Sequence, residues 1–156
     1  MKNGTLIKPL RECTKEIPIL VNFFIQEWPS HYGERGPGNA RIDIESYANE
    51  SSLPIGLVAY RGNLPCGLMA LKADSISTHS HLGPWVAAGF VAPESRNQGI
   101  GSILLSGIEK LANDMHFTKL YSGTARAHGL LLRSGWHKKE TVVYGGENVS
   151  IYSKQL

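Results

Sequence analysis

The sequence predicts an α/β fold of the α+β type: a mixed, mostly antiparallel sheet of six to seven strands with four helices on both faces. Three observations predict it. Apolar residues repeat at helical spacing in two long segments, one on each side of a strand-rich middle. Apolar runs meet at short turns, at Arg61-Gly62-Asn63 and at Gly145-Gly146, which is typical of antiparallel hairpins. Helices interrupt the strands irregularly, which disfavours a doubly wound parallel sheet.

The first third of the chain predicts one strand and two helices. Residues 5–10 form the opening strand. The first helix follows, because one apolar face recurs at steps of three and one: Ile17, Leu20, Val21, Phe24, Ile25 and Trp28. Residues 29–40 are dense in turn formers and are predicted to form a loop. A weaker helix is expected from Arg41 to about Glu50, with Ile42 and Tyr47 facing inward.

The middle of the chain predicts three strands and a long helix. Residues 53–74 form a hairpin, in which Gly67 allows a bulge. Residues 75–83 are a polar connector, and residues 84–93 form the next strand, which Pro93 ends. The third helix has its own apolar stripe: Ile100, Leu104, Ile108, Leu111 and Met115.

The last third predicts a strand over 118–123 and a short helix from about Arg126 to Ser134. Gly135 suits the left-handed position after that helix, and Trp136 provides the apolar contact that usually accompanies it. Residues 137–156 close the chain as two strands.

Length and composition restrict the class of protein. A chain of 156 residues is predicted to form a single domain over residues 1–156, with a full hydrophobic core. Lys and Arg number 16 against 13 Asp and Glu, without a basic block, so we expect no nucleic-acid partner. No stretch has the roughly 20 apolar residues of a membrane span, so we expect no membrane partner. Cys13 and Cys66 fit reduced thiols in a cytoplasmic protein better than a disulfide or metal site.

The segment PESRNQGIGSILL, residues 93–105, predicts an anion site, with a plain glycine-rich loop as the alternative. It lies between a strand and a helix, where backbone N–H groups lack partners and the helix dipole is positive. Gly99 and Gly101 remove the Cβ atoms that would keep a phosphate away, and Arg96 adds a charge. A Walker loop is excluded because Gly-Lys-Ser/Thr is absent. A Rossmann fingerprint is disfavoured because Leu104 occupies the place of its third glycine.

The pattern Arg96-x-x-Gly99-x-Gly101, after the strand end FVAPE, resembles the acyl-CoA signature of the GNAT superfamily of N-acetyltransferases. LLLRSGW, residues 130–136, resembles the segment that follows strand five in that superfamily. The resemblance covers nearly the whole chain in element order, and residues 84–136 by motif; it is closest to the small bacterial type. It implies a GNAT fold in which strands four and five splay apart, and acetyl-CoA as the cosubstrate.

The resemblance also implies where acetyl-CoA binds. Main-chain groups of Phe90 and Val91 bond the pantetheine arm, Gly89 lets the thioester approach, and an N–H near Phe90 stabilises the developing oxyanion. The diphosphate rests on Arg96 and on a run of backbone N–H groups: Gln98, Gly99, Ile100, Gly101 and Ser102. A primary amine then attacks acetyl-CoA directly in a ternary complex.

The catalytic residues are less clearly indicated. Strand four, residues 84–92, has no Asp or Glu, although many family members use a carboxylate there. His79 and His81 precede it and are candidate bases, with solvated loop histidines as the alternative. The tyrosine that many relatives use as general acid corresponds to Leu131, so the usual acid is missing. Tyr144, ahead of the Gly-Gly turn, is the preferred substitute.

The acceptor side is expected at the loop after the first helix and the segment before strand four. Glu27 and Asp74 are candidates to attract a cationic amine, and Trp28, Tyr32 and Trp85 to form aromatic walls. Core packing and surface carboxylates are the alternatives. The acceptor is an amine-bearing small molecule or a peptide N-terminus, and a homodimer is possible. Two other functions stay open: a CoA-binding sensor or scaffold without turnover, and an RNA-directed acetylating toxin.

Overall fold

The computed structural model describes residues 4–156, which contain one seven-stranded sheet. Its strands are β1 (Thr5–Pro9), β2 (Ile55–Arg61), β3 (Leu64–Lys72), β4 (Trp85–Val91), β5 (Lys119–Thr124), β6 (His137–Tyr144) and β7 (Glu147–Gln155). They lie side by side in the order β1-β2-β3-β4-β5-β7-β6. Among these seven strands of residues 4–156, only the β4–β5 pair is parallel. The predicted mixed, mostly antiparallel sheet is therefore confirmed.

Five helices are present in this part of the chain: α1 (Ile17–Glu27), α2 (Pro29–Tyr32), α3 (Ala40–Ser46), α4 (Ile100–Asp114) and α5 (His128–Arg133). α2 is one turn that begins at a proline, which suits a first helical position, inside the segment predicted to be a loop. α3 begins at Asn39, whose side chain accepts a bond from the Ile42 N–H at 3.1 Å. Tyr47 is buried as expected, whereas Ile42 is 63% exposed and Ile44 takes the inward position.

Helices cover both faces of the sheet, as predicted. Leu57 and Ala59 of β2 face the core beneath α4 and α5. Val58 and Tyr60 of the same strand face the core beneath α1 and α3. Because β2 is buried on both faces, it reads as a continuous apolar run instead of an alternating one.

The predicted bulge at Gly67 is present in the β2–β3 hairpin. Ala59 pairs with Gly67 and Tyr60 pairs with Pro65, so Cys66 is the additional residue. Cys66 and Cys13 are both buried and free, and burial raises the pKa of each thiol. Both side chains therefore favour the protonated form.

β4 and β5 separate almost as soon as they meet, which confirms the predicted splay. Trp85 is paired with Tyr121, whose N–H donates to the Pro84 carbonyl at 3.0 Å. One residue further on, the Ser122 hydroxyl donates to the Val86 carbonyl at 3.0 Å. The strands then diverge, and the second half of β4 lies along an open slot.

A second bulge lies in β4 beside this slot. Leu68 of β3 pairs with Phe90 and Ala70 pairs with Ala87, so Ala88 and Gly89 together oppose a single residue. Ala88 has a φ of +57°, in the left-handed region that residues other than glycine rarely adopt. The bulge turns the main chain of β4 just where the strand borders the slot.

Candidate active site

A groove of about 550 Å³ opens where the slot meets the start of α4. Its lining comes from the end of α1, the end of β4, the loop before α4, the first turn of α4, and the segment that leads into and through α5. The lining residues are Glu27, Gly89, Phe90, Val91, Ser95, Arg96, Asn97, Gly99, Ile100, Gly101, Ser102, Arg126, Ala127, Gly129, Leu130 and Arg133. Seven of the eight residues predicted to bind the cofactor are among them.

The start of α4 presents unpartnered backbone N–H groups to the groove. Gly99 precedes the helix with a φ of +82°, and no side chain caps it. The Ile103 N–H donates to the Gly99 carbonyl at 3.1 Å, and the amides of residues 100–102 precede this first helical bond. A Cβ added at Gly99 would have no atom within 4 Å. The site therefore fits an anion such as a diphosphate, with bare backbone on one side and open space on the other.

Arg96 is held by two neighbouring elements. Its Nε donates to the Val91 carbonyl at 2.7 Å, and its Nη2 donates to Glu27 Oε1 at 2.8 Å. The guanidinium also lies 5.8 Å from the centre of the Phe90 ring. Arg96 thus connects β4 with the end of α1, and Glu27 offsets part of its charge.

Gln98 is the predicted cofactor residue that does not line the groove. Its Oε1 accepts a bond from Arg61 at 2.7 Å, and its Nε2 donates to the Glu94 carbonyl at 3.4 Å. The side chain is therefore directed to the β2–β3 turn. Ile100 lines the groove, but it is only 2% exposed and packs in the core beneath α4.

Aromatic residues from α1 and α2 border the groove at Phe90. The Phe90 ring stacks on Phe23 at 5.1 Å and meets Trp28 edge-on at 6.3 Å. Tyr32 lies 6.3 Å from Trp28, and its hydroxyl donates to Asp43 Oδ2 at 2.7 Å. Burial, followed by this bond, raises the pKa of Tyr32. Trp28 packs on Phe90 and Tyr32 packs on Trp28, but neither is among the groove residues, so their role in binding the acceptor stays a prediction.

Trp85 and Asp74 lie elsewhere. Trp85 is fully buried, packs on Tyr121 at 5.6 Å, and donates its indole N–H to the Leu82 carbonyl at 2.9 Å. It offers no surface to a substrate, so the expected wall at this position is corrected to a core residue. Asp74 is exposed in the segment after β3 and is not among the groove residues.

His79, His81 and Tyr144 lie near β6, away from the groove lining. The rings of His79 and His81 stack at 5.8 Å, and His79 Nε2 is 3.2 Å from Glu140 Oε2 on β6. The Tyr144 hydroxyl donates to the Ser75 carbonyl at 3.5 Å. These contacts fasten the connector before β4 to the β6–β7 hairpin. A catalytic role for the three residues stays a prediction.

The α5 side contributes residues that sequence reasoning missed. Leu131, which corresponds to the tyrosine of many relatives, is 3% exposed and packs in the core beneath α4. Leu130 faces the groove instead, together with Arg126 and Arg133. Leu130 and Arg133 are three residues apart on α5, a spacing that indicates a shared helical face, whereas Arg126 lies in the turn before the helix and no sequence pattern indicates it.

Within residues 4–156, no group of three or more His, Cys, Asp or Glu is arranged to bind a metal ion. Over the same range, no helix combines the length and apolar character that crossing a membrane requires.

A family model described as the acetyltransferase (GNAT) family matches residues 18–136. Members of this family are acyltransferases that use acetyl-CoA. The mixed sheet and the groove at the start of α4 are compatible with such an enzyme. The chain belongs to the acetyltransferase (GNAT) family and is an acetyl-CoA-dependent acyltransferase. A comparison with curated proteins finds no match.

Solved structures agree on the fold. An aminoglycoside 6'-N-acetyltransferase complexed with coenzyme A has a TM-score of 0.79 at 14% identity, over 96% of each chain. The aminoglycoside 6'-N-acetyltransferase from Enterococcus faecium has a TM-score of 0.76 at 14% identity, again over 96% of each chain. A ribosomal-protein-alanine N-acetyltransferase from Brucella melitensis has a TM-score of 0.74 at 18% identity, over 97% of this chain and 99% of that one.

Proposed function

We propose that the protein transfers an acetyl group from acetyl-CoA to a primary amine, by direct attack within a ternary complex. The observation that carries the proposal is the groove, which joins the splayed β4–β5 slot to the unpartnered amides of α4. A linear thioester with a diphosphate at one end matches a site of this shape and polarity. When bound, acetyl-CoA supplies the activated acetyl group.

The first turn of α4 is proposed to bind the diphosphate. The amides of residues 100–102 donate to phosphate oxygens, and the bare backbone at Gly99 lets them approach. Ser102 is exposed and lines the groove, so its hydroxyl is a further donor. Arg96 adds positive charge from the β4 side, reduced by its bond with Glu27.

The bulged half of β4 is proposed to bind the pantetheine arm. Main-chain groups of a strand point alternately to its two neighbours, and β5 has already diverged at this point. The groups that β5 leaves open between Ala88 and Val91 are therefore offered to the arm. The left-handed Ala88 reorients the peptide that follows it, and strain of this kind often occurs at functional sites. An N–H near Phe90 is the proposed donor to the thioester carbonyl.

Proton transfer limits which amines react easily. An amine must be neutral to attack, and deprotonating a lysine-like amine at pH 7 costs roughly 4–5 kcal/mol, against about 1 kcal/mol for an α-amine. Glu27 is the one carboxylate among the described groove residues, and they include no histidine or tyrosine. An α-amine or another amine of low pKa therefore fits the site best. A thiolate with a pKa of about 8.5 leaves without a dedicated acid.

His79 and His81 keep their proposed role as bases only if they act through water, because neither lines the groove. The pH–rate profiles of His79→Ala and His81→Ala test this directly. If either variant loses the change in rate that the wild type shows near neutral pH, the result supports the role of that histidine as a base. Unchanged profiles would exclude both histidines as bases. Tyr144→Phe tests the proposed acid in the same assay.

The acceptor is proposed to enter beside Glu27, Trp28 and Tyr32. Two of these side chains are aromatic and one is anionic, a combination that suits a cationic amine. Structural neighbours are named for an aminoglycoside and for a ribosomal-protein alanine, two different acceptors on one fold. The test is an acetyl-CoA consumption screen over polyamines, aminoglycosides, amino acids and short peptides. A homodimer stays a prediction.

Binding of acetyl-CoA without turnover is the second candidate function. It is favoured by the absence of histidine and tyrosine from the described groove lining and by the burial of Leu131. Tight acetyl-CoA binding with no turnover over the whole panel would select this function. Turnover with any amine above the rate of hydrolysis would select the transferase.

A further inference from the structure

Two arginines of the groove have no role in the binding mode above. Arg126 and Arg133 line its α5 side, and neither forms an ion pair within residues 4–156. The third groove arginine, Arg96, is paired with Glu27. The α5 side of the groove therefore presents two arginines that have no acidic partner within residues 4–156.

The two arginines flank the proposed diphosphate site. Leu130 and Arg133 are three residues apart on α5 and share one face of that helix, whereas Arg126 lines the groove from the turn that leads into α5. A Cβ on Gly101 would be 3.5 Å from Leu130 Cδ2, which places Leu130 against the first turn of α4. Arg133 is thus about one helical turn, roughly 5 Å, beyond that contact, and Arg126 lies on its other side in sequence, before the helix begins.

Local structure fixes the turn that carries Arg126 and leaves room for the Arg133 side chain. Thr124 Oγ1 accepts bonds from the N–H groups of Arg126, at 3.1 Å, and Ala127, at 2.7 Å, which fix the turn into α5. At Gly129, a Cβ would be 2.8 Å from Arg133 Nη1. A glycine inside a helix costs about 1 kcal/mol relative to alanine. Here it leaves the space that the Arg133 guanidinium occupies.

Coenzyme A carries more phosphate than the start of α4 accommodates. Besides the diphosphate, its ribose carries a 3′-phosphate, a monoester with a charge of roughly −1.5 to −2 at pH 7. Guanidinium groups bind such a dianion through paired, charge-assisted bonds. We propose that Arg126 and Arg133 form a second anion site, which binds the 3′-phosphate and selects the 3′-phosphorylated cosubstrate. The inference rests on the binding mode in the proposed function.

Isothermal titration with acetyl-CoA and with 3′-dephospho-acetyl-CoA tests this site by binding alone. The proteins are the wild type, Arg126→Ala, Arg133→Ala, the double variant, and Arg41→Ala as the control. Arg41 is an exposed arginine on α3, outside the groove, so its removal changes the net charge by as much as either single variant does. The wild type and the control are expected to prefer acetyl-CoA by at least about tenfold.

In the double variant the preference is expected to disappear, with the affinity for the dephospho compound unchanged within about twofold. Equal affinity of the wild type for both compounds would overturn the proposal. An equal loss for both compounds in the double variant would also overturn it, since the arginines would then bind the diphosphate or support the fold. Failure of the wild type to bind acetyl-CoA at all would instead contradict the underlying binding mode.

Discussion

Gly99→Ala separates the backbone strain at the start of α4 from the proposed role of that position in binding. Gly99 has a φ of +82°, and an added Cβ would meet nothing within 4 Å. Gly146, in the turn between β6 and β7, has the same φ of +82° and the same open surroundings. Alanine in this conformation costs roughly 1–2 kcal/mol. Both variants are therefore expected to lower Tm by roughly 2–8 °C, at about 2–4 °C per kcal/mol for a chain of this size.

Binding is where the two variants are expected to differ. The methyl group of Gly99→Ala lies in the space through which a diphosphate approaches the amides of residues 100–102. Losing one charge-assisted hydrogen bond is worth roughly 1.5–3 kcal/mol, or about 10- to 100-fold in Kd. Gly146 lies in a hairpin turn and does not line the groove, so Gly146→Ala is expected to keep the wild-type Kd.

Differential scanning fluorimetry gives Tm, and isothermal titration gives the Kd of acetyl-CoA for the three proteins. We expect similar losses of Tm in both variants and a loss of affinity in Gly99→Ala alone. Wild-type affinity in Gly99→Ala would refute the diphosphate site. An equal loss of affinity in Gly146→Ala would show that stability, and not the site, controls binding.

Three further predictions concern the core, the pH dependence and the groove. Leu104 is fully buried, so Leu104→Ala is expected to lower the free energy of unfolding by about 2–5 kcal/mol in urea titrations, and a loss near zero would contradict the described core. Burial raises the pKa of Tyr47 to about 12, above the usual value of about 10. Unfolded tyrosine ionises first, so this contribution to stability is complete below pH 10 and is lost as the pH rises to about 12. Tyr47→Phe should lose less stability over that interval, and identical pH profiles would remove the assignment. Glu27→Gln removes the charge that offsets Arg96 and should tighten acetyl-CoA binding by up to about fivefold, whereas weaker binding would identify the pair as a structural support.

The sequence predicted the parts of the fold that local patterns determine. The apolar stripe of α4 holds its period for four turns, and Leu104 and Ile108 are fully buried where the stripe places them. A glycine between two apolar runs predicts a turn, and Gly62, between β2 and β3, has a φ of +63°. The one-turn helix α2 was missed because a proline and a serine at its start indicate a loop as readily as a first helical turn.

The site was predicted less completely because side-chain direction depends on distant partners. Arg96 is bonded to Glu27, 69 residues away, and no local pattern indicates that pair. Trp85 is buried because Ile76, from the connector before β4, packs in the same cluster, and the sequence does not show that this connector folds over the sheet. The exposed amides near Gly99 and Gly101 could be predicted without knowing any distant partner, because a glycine pair at a strand–helix junction indicates exposed amides by itself.

A ¹⁵N–¹H NMR titration with acetyl-CoA shows whether the amides at the start of α4 bind the diphosphate. We expect the largest amide shifts at Gly99, Gly101 and Ser102, with a second set at Gly89 and Phe90. Unchanged amides from Gly99 to Ser102 at saturating acetyl-CoA, with the shifts concentrated elsewhere, would contradict this binding site.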